Sequence, residues 1–265
     1  MNVDANELLQ LAVATARETA DLLLASVNTE LKIDTKTSAT DLVTEIDRAA
    51  EKIIVERITK ARPQDAILGE EGADRPGTSG VQWIIDPIDG TTNFVYGHPG
   101  FAVSIAAEFN GMPLIGVVHD PMHNEVFSAV RGQGAFCNGN PIAVRCTTTL
   151  ETSLIATGFG YSSDRRRAQA GVMANLSGSI RDYRRMGAAS VDLCSVACGR
   201  VDAYFERGLQ KWDYAAGALI ASEAGALLGD LNGGDCSSYY CIAATPAVFN
   251  ELCQALIDAG AHDVP

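Results

Sequence analysis

Apolar residues recur along this chain with two periods, and the alternation between them outlines the fold. Spacing of three to four residues predicts helices over 6–27 (Leu8, Leu11, Ala12, Thr15, Leu22, Leu23) and 45–61 (Ile46, Ala50, Ile53, Ile54, Ile58). Further helices are expected over 165–177, 187–198, 213–224 and 246–259. Short apolar or alternating runs predict strands over 81–86, 101–109, 113–119, 125–130, 152–157, 201–206 and 240–244. The stretch 101–130 reads as an antiparallel meander that turns at Gly111 and at Asp120-Pro121. After residue 150 helices and strands alternate, which predicts a more α/β second half. From periodicity alone the chain is mixed α and β with two subdomains, and no internal repeat or low-complexity tract interrupts it.

Composition narrows the function classes. With 265 residues the chain can hold one large or two smaller domains with ample cores. It is 47% hydrophobic, yet no uninterrupted apolar run nears the ~20 residues of a bilayer span, so no membrane span is expected. The start, Met1 to Asn6, is polar and acidic and lacks the basic and apolar stretches of a signal peptide. Seven cysteines without a Cys-x-x-Cys pattern fit a reducing cytoplasm. Cys194 and Cys198, four apart, read as core filling. His98, His119, His123 and His262 form no ligand pattern, which argues against zinc. The net charge of −13 disfavours phosphate-backbone binding, so no direct nucleic-acid contact is expected. The run Asp164-Arg165-Arg166-Arg167 reads as a solvated helix start, and Arg184-Arg185 as an interface or salt-bridge pair.

The chemistry concentrates in Asp86-Pro87-Ile88-Asp89-Gly90-Thr91-Thr92-Asn93-Phe94, directly after the apolar run Val81-Gln82-Trp83-Ile84-Ile85. Asp86 and Asp89 would face opposite sides of a continuous strand. Pro87 is expected to stop the strand, and a β-turn from Asp86 to Asp89 then brings both carboxylates to one side. Gly90 permits close approach of the backbone, and Thr91, Thr92 and Asn93 suit a helix start with unpaired N–H groups. Hard oxygen ligands beside free N–H groups suit a divalent cation and a phosphate together. The competing reading is a capped helix and a tight turn. The spacing argues against the aspartyl-phosphate type of phosphatase, which uses two Asp residues two apart. Three other segments add acids. Ile67-Leu68-Gly69-Glu70-Glu71-Gly72 delivers two, one expected inward and one outward. Asp213 opens a helix of small residues, Ala215-Ala216-Gly217-Ala218, which predicts close packing of that helix. The polar loop from Lys36 to Asp47 leads into the second helix.

On these residues the chain resembles the inositol monophosphatase family of magnesium-dependent, lithium-sensitive phosphatases, and its bacterial members in particular. The stretches Asp86–Phe94 and Trp212–Gly217, with Gly69-Glu70-Glu71 upstream, carry the resemblance, which extends loosely over nearly the whole chain. It implies a layered α-β-α-β-α sandwich, with a first subdomain over 1–145 and a second over 146–265. It implies two or three Mg²⁺: Glu70, Asp86 and the Ile88 carbonyl on the first, Asp86, Asp89 and Asp213 on the second, and a weaker third near Glu70. Thr91 with Glu70 would orient and deprotonate the attacking water, and the Gly90 and Thr91 amides would take phosphate oxygens. Glu206, with Gly187, Ala188 and Ala189 beside it, would face the hydroxyls of an inositol monophosphate. Asp89 and Asp213 would also border the substrate; Lys36, Asp47 and Glu71 are expected in a loop or supporting shell, with a plain surface role the alternative for Lys36 and Asp47. A cytoplasmic homodimer is expected by the same resemblance. Histidinol-phosphate phosphatase is the nearest rival activity. A fructose-bisphosphate or 3′-phosphonucleotide phosphatase is less favoured, because no basic cluster is assigned to a second phosphate. A regulatory protein that binds transcription machinery is the alternative of another class.

Overall fold

The structure, a computed structural model, describes residues 3–265; Met1 and Asn2 of the polar start lie outside the described residues. Two helices come first, α1 (Ala5–Ser26) and α2 (Glu45–Ala61), with the short pair β1 (Ile33–Thr35) and β2 (Leu42–Thr44) between them. Asp4 caps α1 by accepting from the Asn6 amide. Thr44 and Asp47 form a reciprocal capping box at the start of α2.

A seven-stranded sheet follows in the order β3 (Ala66–Gly69), β4 (Val81–Asp89), β5 (Ala102–Phe109), β6 (Met112–Asp120), β7 (Glu125–Val130), β8 (Ala135–Cys137), β9 (Asn140–Ile142). The predicted meander is there, antiparallel from β4 onward. The second sheet has five strands: β10 (Leu154–Thr157), β11 (Asp182–Arg184), β12 (Ala203–Glu206), β13 (Leu227–Gly229) and β14 (Cys241–Ala244), in the order β11-β10-β12-β14-β13. It mixes parallel and antiparallel pairs. The remaining helices are α3 (Thr91–Val95), α4 (Ser163–Leu176), α5 (Ala189–Ala197), α6 (Lys211–Glu223) and α7 (Phe249–Asp258).

Packing resolves these elements into five layers. Helices α1 and α2 cover one face of the large sheet, α5 and α6 fill the space between the sheets, and α4 and α7 cover the far side of the smaller one. Three buried clusters correspond: Leu8, Ile54 and Trp83 under α1 and α2; Leu193, Tyr204 and Ile220 in the middle; Val172, Ile242 and Leu252 outside. The result is the α-β-α-β-α sandwich.

One strand departs from expectation. β4 does not stop at Pro87; it runs on to Asp89. Its ladder with β5 skips from Asp86↔Ser104 to Asp89↔Ala102. Pro87 falls in that skip, where the ladder asks for no N–H, and its partner β3 has already ended opposite Ile85. The irregularity is a bulge rather than a terminal β-turn.

The small residues of α6 let it enter the middle layer. A Cβ on Gly116 of β6 would stand 2.7 Å from the Ala216 carbonyl oxygen, and one on Gly217 2.8 Å from the Leu193 Cβ. Gly116→Ala is therefore expected to push α6, and Asp213 with it, off the large sheet. We expect a stability loss of about 1–3 kcal/mol, the usual cost of overpacking. Urea unfolding reads it, and an unchanged midpoint would show that α6 gives way freely.

Candidate active site

The bulge in β4 aims its acids at the junction of the layers. Asp86 and Asp89 are buried. Asp86 accepts from the Ile88 amide at 3.0 Å, which closes the backbone around Ile88. Gly90 then takes φ +90 and begins α3. A side chain there would meet the Gly100 carbonyl at 2.8 Å, so this corner needs glycine. Asn93 locks the corner, donating to the carbonyls of Gly100 and Met186, each at 2.7 Å.

Thr91 is the first residue of α3 and is buried. Its hydroxyl lies 3.1 Å from Asp47 Oδ1 and 3.0 Å from the Ile88 carbonyl, and one proton serves both. Asp47 is not on the loop: it stands in the first turn of α2, where its Oδ2 accepts from the Thr44 amide and hydroxyl. Burial pushes its carboxyl up, while the bonds from Thr44 and Thr91 partly offset that.

Asp213 is the third residue of α6 and accepts from the Gln210 amide at 2.6 Å. Asp89 accepts from the Ser190 amide at 2.7 Å, in the first turn of α5, where the helix dipole favours an anion. Gly187 (φ +92) and Ala188, the residue before the helix, shape that turn. Glu70 and Glu71 do not face opposite ways, as alternation suggested. Both meet Lys36, whose ammonium lies 2.8 Å from Glu70 Oε1. Burial alone would lower the Lys36 pKa, but the two carboxylates outweigh it and hold it above the usual range.

Glu70, Asp89, Gly90, Gly187, Ala189, Glu206, Asp213 and Lys36 line one cleft of about 550 Å³. Asp86 lies behind it, within the field of Glu70, Asp89 and Asp213. Burial first, and then these neighbours, push Asp86 well above the carboxylate range. Asp213 is raised by burial and by Asp89 and Glu70. Asp89 is raised to about 6 by burial, against the Ser190 hydrogen bonds. Such mutual penalties are what a bound cation relieves. Among the described residues, no three Asp, Glu, His or Cys groups already form a closed metal cage. The donor chemistry nevertheless fits a hard divalent ion. It is all oxygen, and among the described residues the cation paired with Glu70 is the Lys36 ammonium.

Glu206 ends β12 and accepts from the Tyr204 hydroxyl at 2.8 Å. Burial pushes its carboxyl up to about 7. Gly158 makes room for it, since a Cβ there would overlap the Glu206 carboxylate.

Several residues in or behind the cleft escaped sequence reasoning. Ser190 supplies the amide on Asp89, a role any residue at a helix start can fill. The segment Gly158–Ser162 forms part of the wall. Thr40 and Arg166 tie the Lys36 loop to that segment through the Tyr161 carbonyl, at 3.0 Å and 2.9 Å. Arg167 is exposed and pairs with Asp164, as a solvated helix start requires, and Arg184 makes an exposed salt bridge with Asp182, as the salt-bridge reading of Arg184-Arg185 requires. Arg165 departs from the solvated reading, because it lines the cleft, and Arg185 lines the cleft as well.

Comparisons with known proteins agree with this architecture. The profile of the inositol monophosphatase family matches residues 4–260. A Pasteurella multocida protein named Nus factor SuhB is 43% identical over 252 residues, 93% of this chain and 94% of that protein. A Mycobacterium bovis inositol-1-monophosphatase is 47% identical over 233 residues, 83% of this chain and 80% of that protein. The solved structure of a Thermotoga maritima IMPase superposes with a TM-score of 0.90 at 33% identity, covering 98% of this chain and 100% of that one. By profile, sequence and fold, the chain belongs to the inositol monophosphatase family.

Proposed function

We propose that this chain is a Mg²⁺-dependent phosphomonoesterase that hydrolyses an inositol monophosphate by in-line attack of water. One observation carries the reading: Glu70, Asp89 and Asp213 open onto a single cleft, with Asp86 and the Thr91–Asp47 pair beside it. Glu70, Asp86 and the Ile88 carbonyl would hold one Mg²⁺, and Asp86, Asp89 and Asp213 a second, with a third near Glu70. Bound Mg²⁺ supplies an acidified water and charge compensation for the leaving oxygen.

The chain's own groups do the rest. Thr91 Oγ1 accepts from the attacking water while it donates to Asp47, so the proton moves towards a carboxyl whose raised affinity suits a base. Glu70, steadied by Lys36, is the second carboxylate facing that water. The Gly90 and Thr91 amides receive phosphate oxygens. A covalent phospho-enzyme plays no part.

Glu206 sets the alcohol. Its carboxylate, oriented by Tyr204, accepts from ring hydroxyls. Glu206→Gln is expected to lower kcat/KM for inositol 1-phosphate by ~10- to 100-fold, one lost charge-assisted hydrogen bond, and for a small alkyl phosphate far less. Equal losses on both esters would make Glu206 a general support. A panel of inositol phosphates, histidinol phosphate and glycerol 2-phosphate with Mg²⁺ tests the substrate. A higher kcat/KM for histidinol phosphate than for every inositol phosphate would replace it.

A second reading has its own support, the relative named Nus factor SuhB. We propose that the chain also associates with transcription machinery, without direct contact to nucleic acid. An Asp213→Asn chain that still captures such proteins would separate this role from catalysis; capture of none by either form would remove it. The protein is proposed to work in the cytoplasm as a homodimer. No described helix is long and apolar enough to cross a membrane. Light scattering at micromolar concentration should give twice the 28.0 kDa chain mass.

A further inference from the structure

Two of the seven cysteines touch each other, and they differ in access. Cys241 opens β14 and is fully buried. Cys236 lies in the connection after β13 and is partly exposed. It lines a cavity of about 440 Å³ between α6 and strands β5 and β6. The Cys241 thiol donates to the Cys236 sulfur at 3.1 Å. The Cys236 sulfur also lies 3.7 Å from the Gly229 carbonyl and 3.8 Å from the Ile242 carbonyl, which hold it over the β13–β14 pair. Among the described residues no other thiol donates to a second thiol; Cys198, for one, donates to the Ser195 carbonyl. Core filling explains a buried cysteine but asks for no such contact. The bond from Cys241 holds the Cys236 thiol below its ordinary range, and the thiolate is the form that reacts.

Cys236 sits in a segment that braces the cleft. Two residues on, the Ser238 carbonyl accepts from the Gly208 amide at 2.9 Å. The Tyr239 ring carries Arg207, whose guanidinium lies 4.6 Å from its centroid. Arg207 and Gly208 both line the cleft. Cys241, in contrast, belongs to a strand paired on both sides, to β12 and to β13. When the two sulfurs close from 3.1 Å to the ~2.0 Å of a covalent bond, the strand stays and the connection moves.

We propose that Cys236 and Cys241 are a reversible oxidation site. A hydroperoxide converts them to a disulfide that fastens the 230–240 connection to β14 and stiffens the cleft wall at Arg207 and Gly208. The Cys236 thiolate attacks a peroxide oxygen, the O–O bond breaks, and the departing oxygen takes a proton and leaves as water. Cys236 is then a sulfenic acid, oxidised by two electrons. The Cys241 sulfur attacks it, the S–S bond forms, and the hydroxyl leaves with the Cys241 proton as a second water. Two thiols and one peroxide thus give one disulfide and two waters. In a reducing compartment the bond is transient, and a dithiol reverses it. The site does not depend on the phosphatase reading.

The test treats the reduced full chain with a small excess of hydrogen peroxide. Titratable thiols in urea should fall by two, the intact mass should drop by two hydrogens, and peptide mapping should join Cys236 to Cys241. Dithiothreitol should reverse all three changes. Cys236→Ser should abolish the bond, and Cys241→Ala should leave a Cys236 sulfenic acid that dimedone captures. Cys146→Ser, which removes an exposed cysteine, should form the bond as the wild type does. Hydrogen exchange at the Gly208 amide, followed by NMR, should slow by about tenfold in the disulfide form, within what closing so short a ring can contribute. No bond, or a bond between other cysteines, overturns the site. An unchanged exchange rate at Gly208 overturns its reach to the cleft wall. If Cys241→Ala fails to fold, Cys236→Ser decides alone, since its position is partly exposed.

Discussion

Asp89→Asn and Asp213→Asn should each lower kcat for inositol 1-phosphate by on the order of 10³-fold or more. Charge compensation by a bound metal contributes several kcal/mol to the barrier, and each ~1.4 kcal/mol is tenfold in rate. Both variants should remain folded, because Asn keeps an acceptor oxygen for the Ser190 and Gln210 amides that the carboxylates now receive. Without metal, each should melt above the wild type. Burial and mutual repulsion penalise the charges of Asp86, Asp89 and Asp213, and removing one relieves the others. A variant that loses activity and melts lower would show instead that its carboxylate supports the fold. Near-wild-type turnover in either variant would remove that residue from the metal site.

Breaking the Thr91–Asp47 pair should cost the chemical step about 10²- to 10⁴-fold, the usual range for general-base catalysis. Thr91→Val keeps the shape and removes the hydroxyl. Asp47→Asn keeps an acceptor for Thr44 but takes away the proton acceptor. Thr91→Ser should retain most activity. The loss should fall on kcat with KM little changed, since neither group binds the alcohol. Single-turnover kinetics resolve this. A Val variant within threefold of wild type would return the base role to Glu70 alone. A double variant no worse than either single one would show that the two residues act as a unit.

Much of this site was legible before any coordinates, and the reason is local. Asp86 and Asp89 flank one bulge with Gly90 directly after it, and Asp213 lies in one helix turn, so each short segment already announces its acids, although the spacing suggested a turn where a bulge forms. The helices with long apolar periods, α1 and α2, were equally plain. The short strands β8, β9, β11 and β13 have three residues each, too few to display any alternation. Pro87 misled because a proline ends a strand only where the ladder needs its N–H. Glu70 and Glu71 misled for a different reason: a lysine 34 and 35 positions away draws both to one side. The arginines show the same limit. A run such as Arg165-Arg166-Arg167 states its charge but not its directions. Only the packing shows that Arg165 enters the cleft, while Arg167 pairs with Asp164 in solvent.

The central claim is that a divalent metal held by these oxygen ligands is indispensable to the reaction. The most direct measurement is phosphate release from inositol 1-phosphate by the wild-type protein as Mg²⁺ is added back after EDTA. The account predicts no detectable turnover in excess EDTA, recovery with Mg²⁺, and slower turnover when Zn²⁺ is the only metal. Full activity in excess EDTA would contradict it.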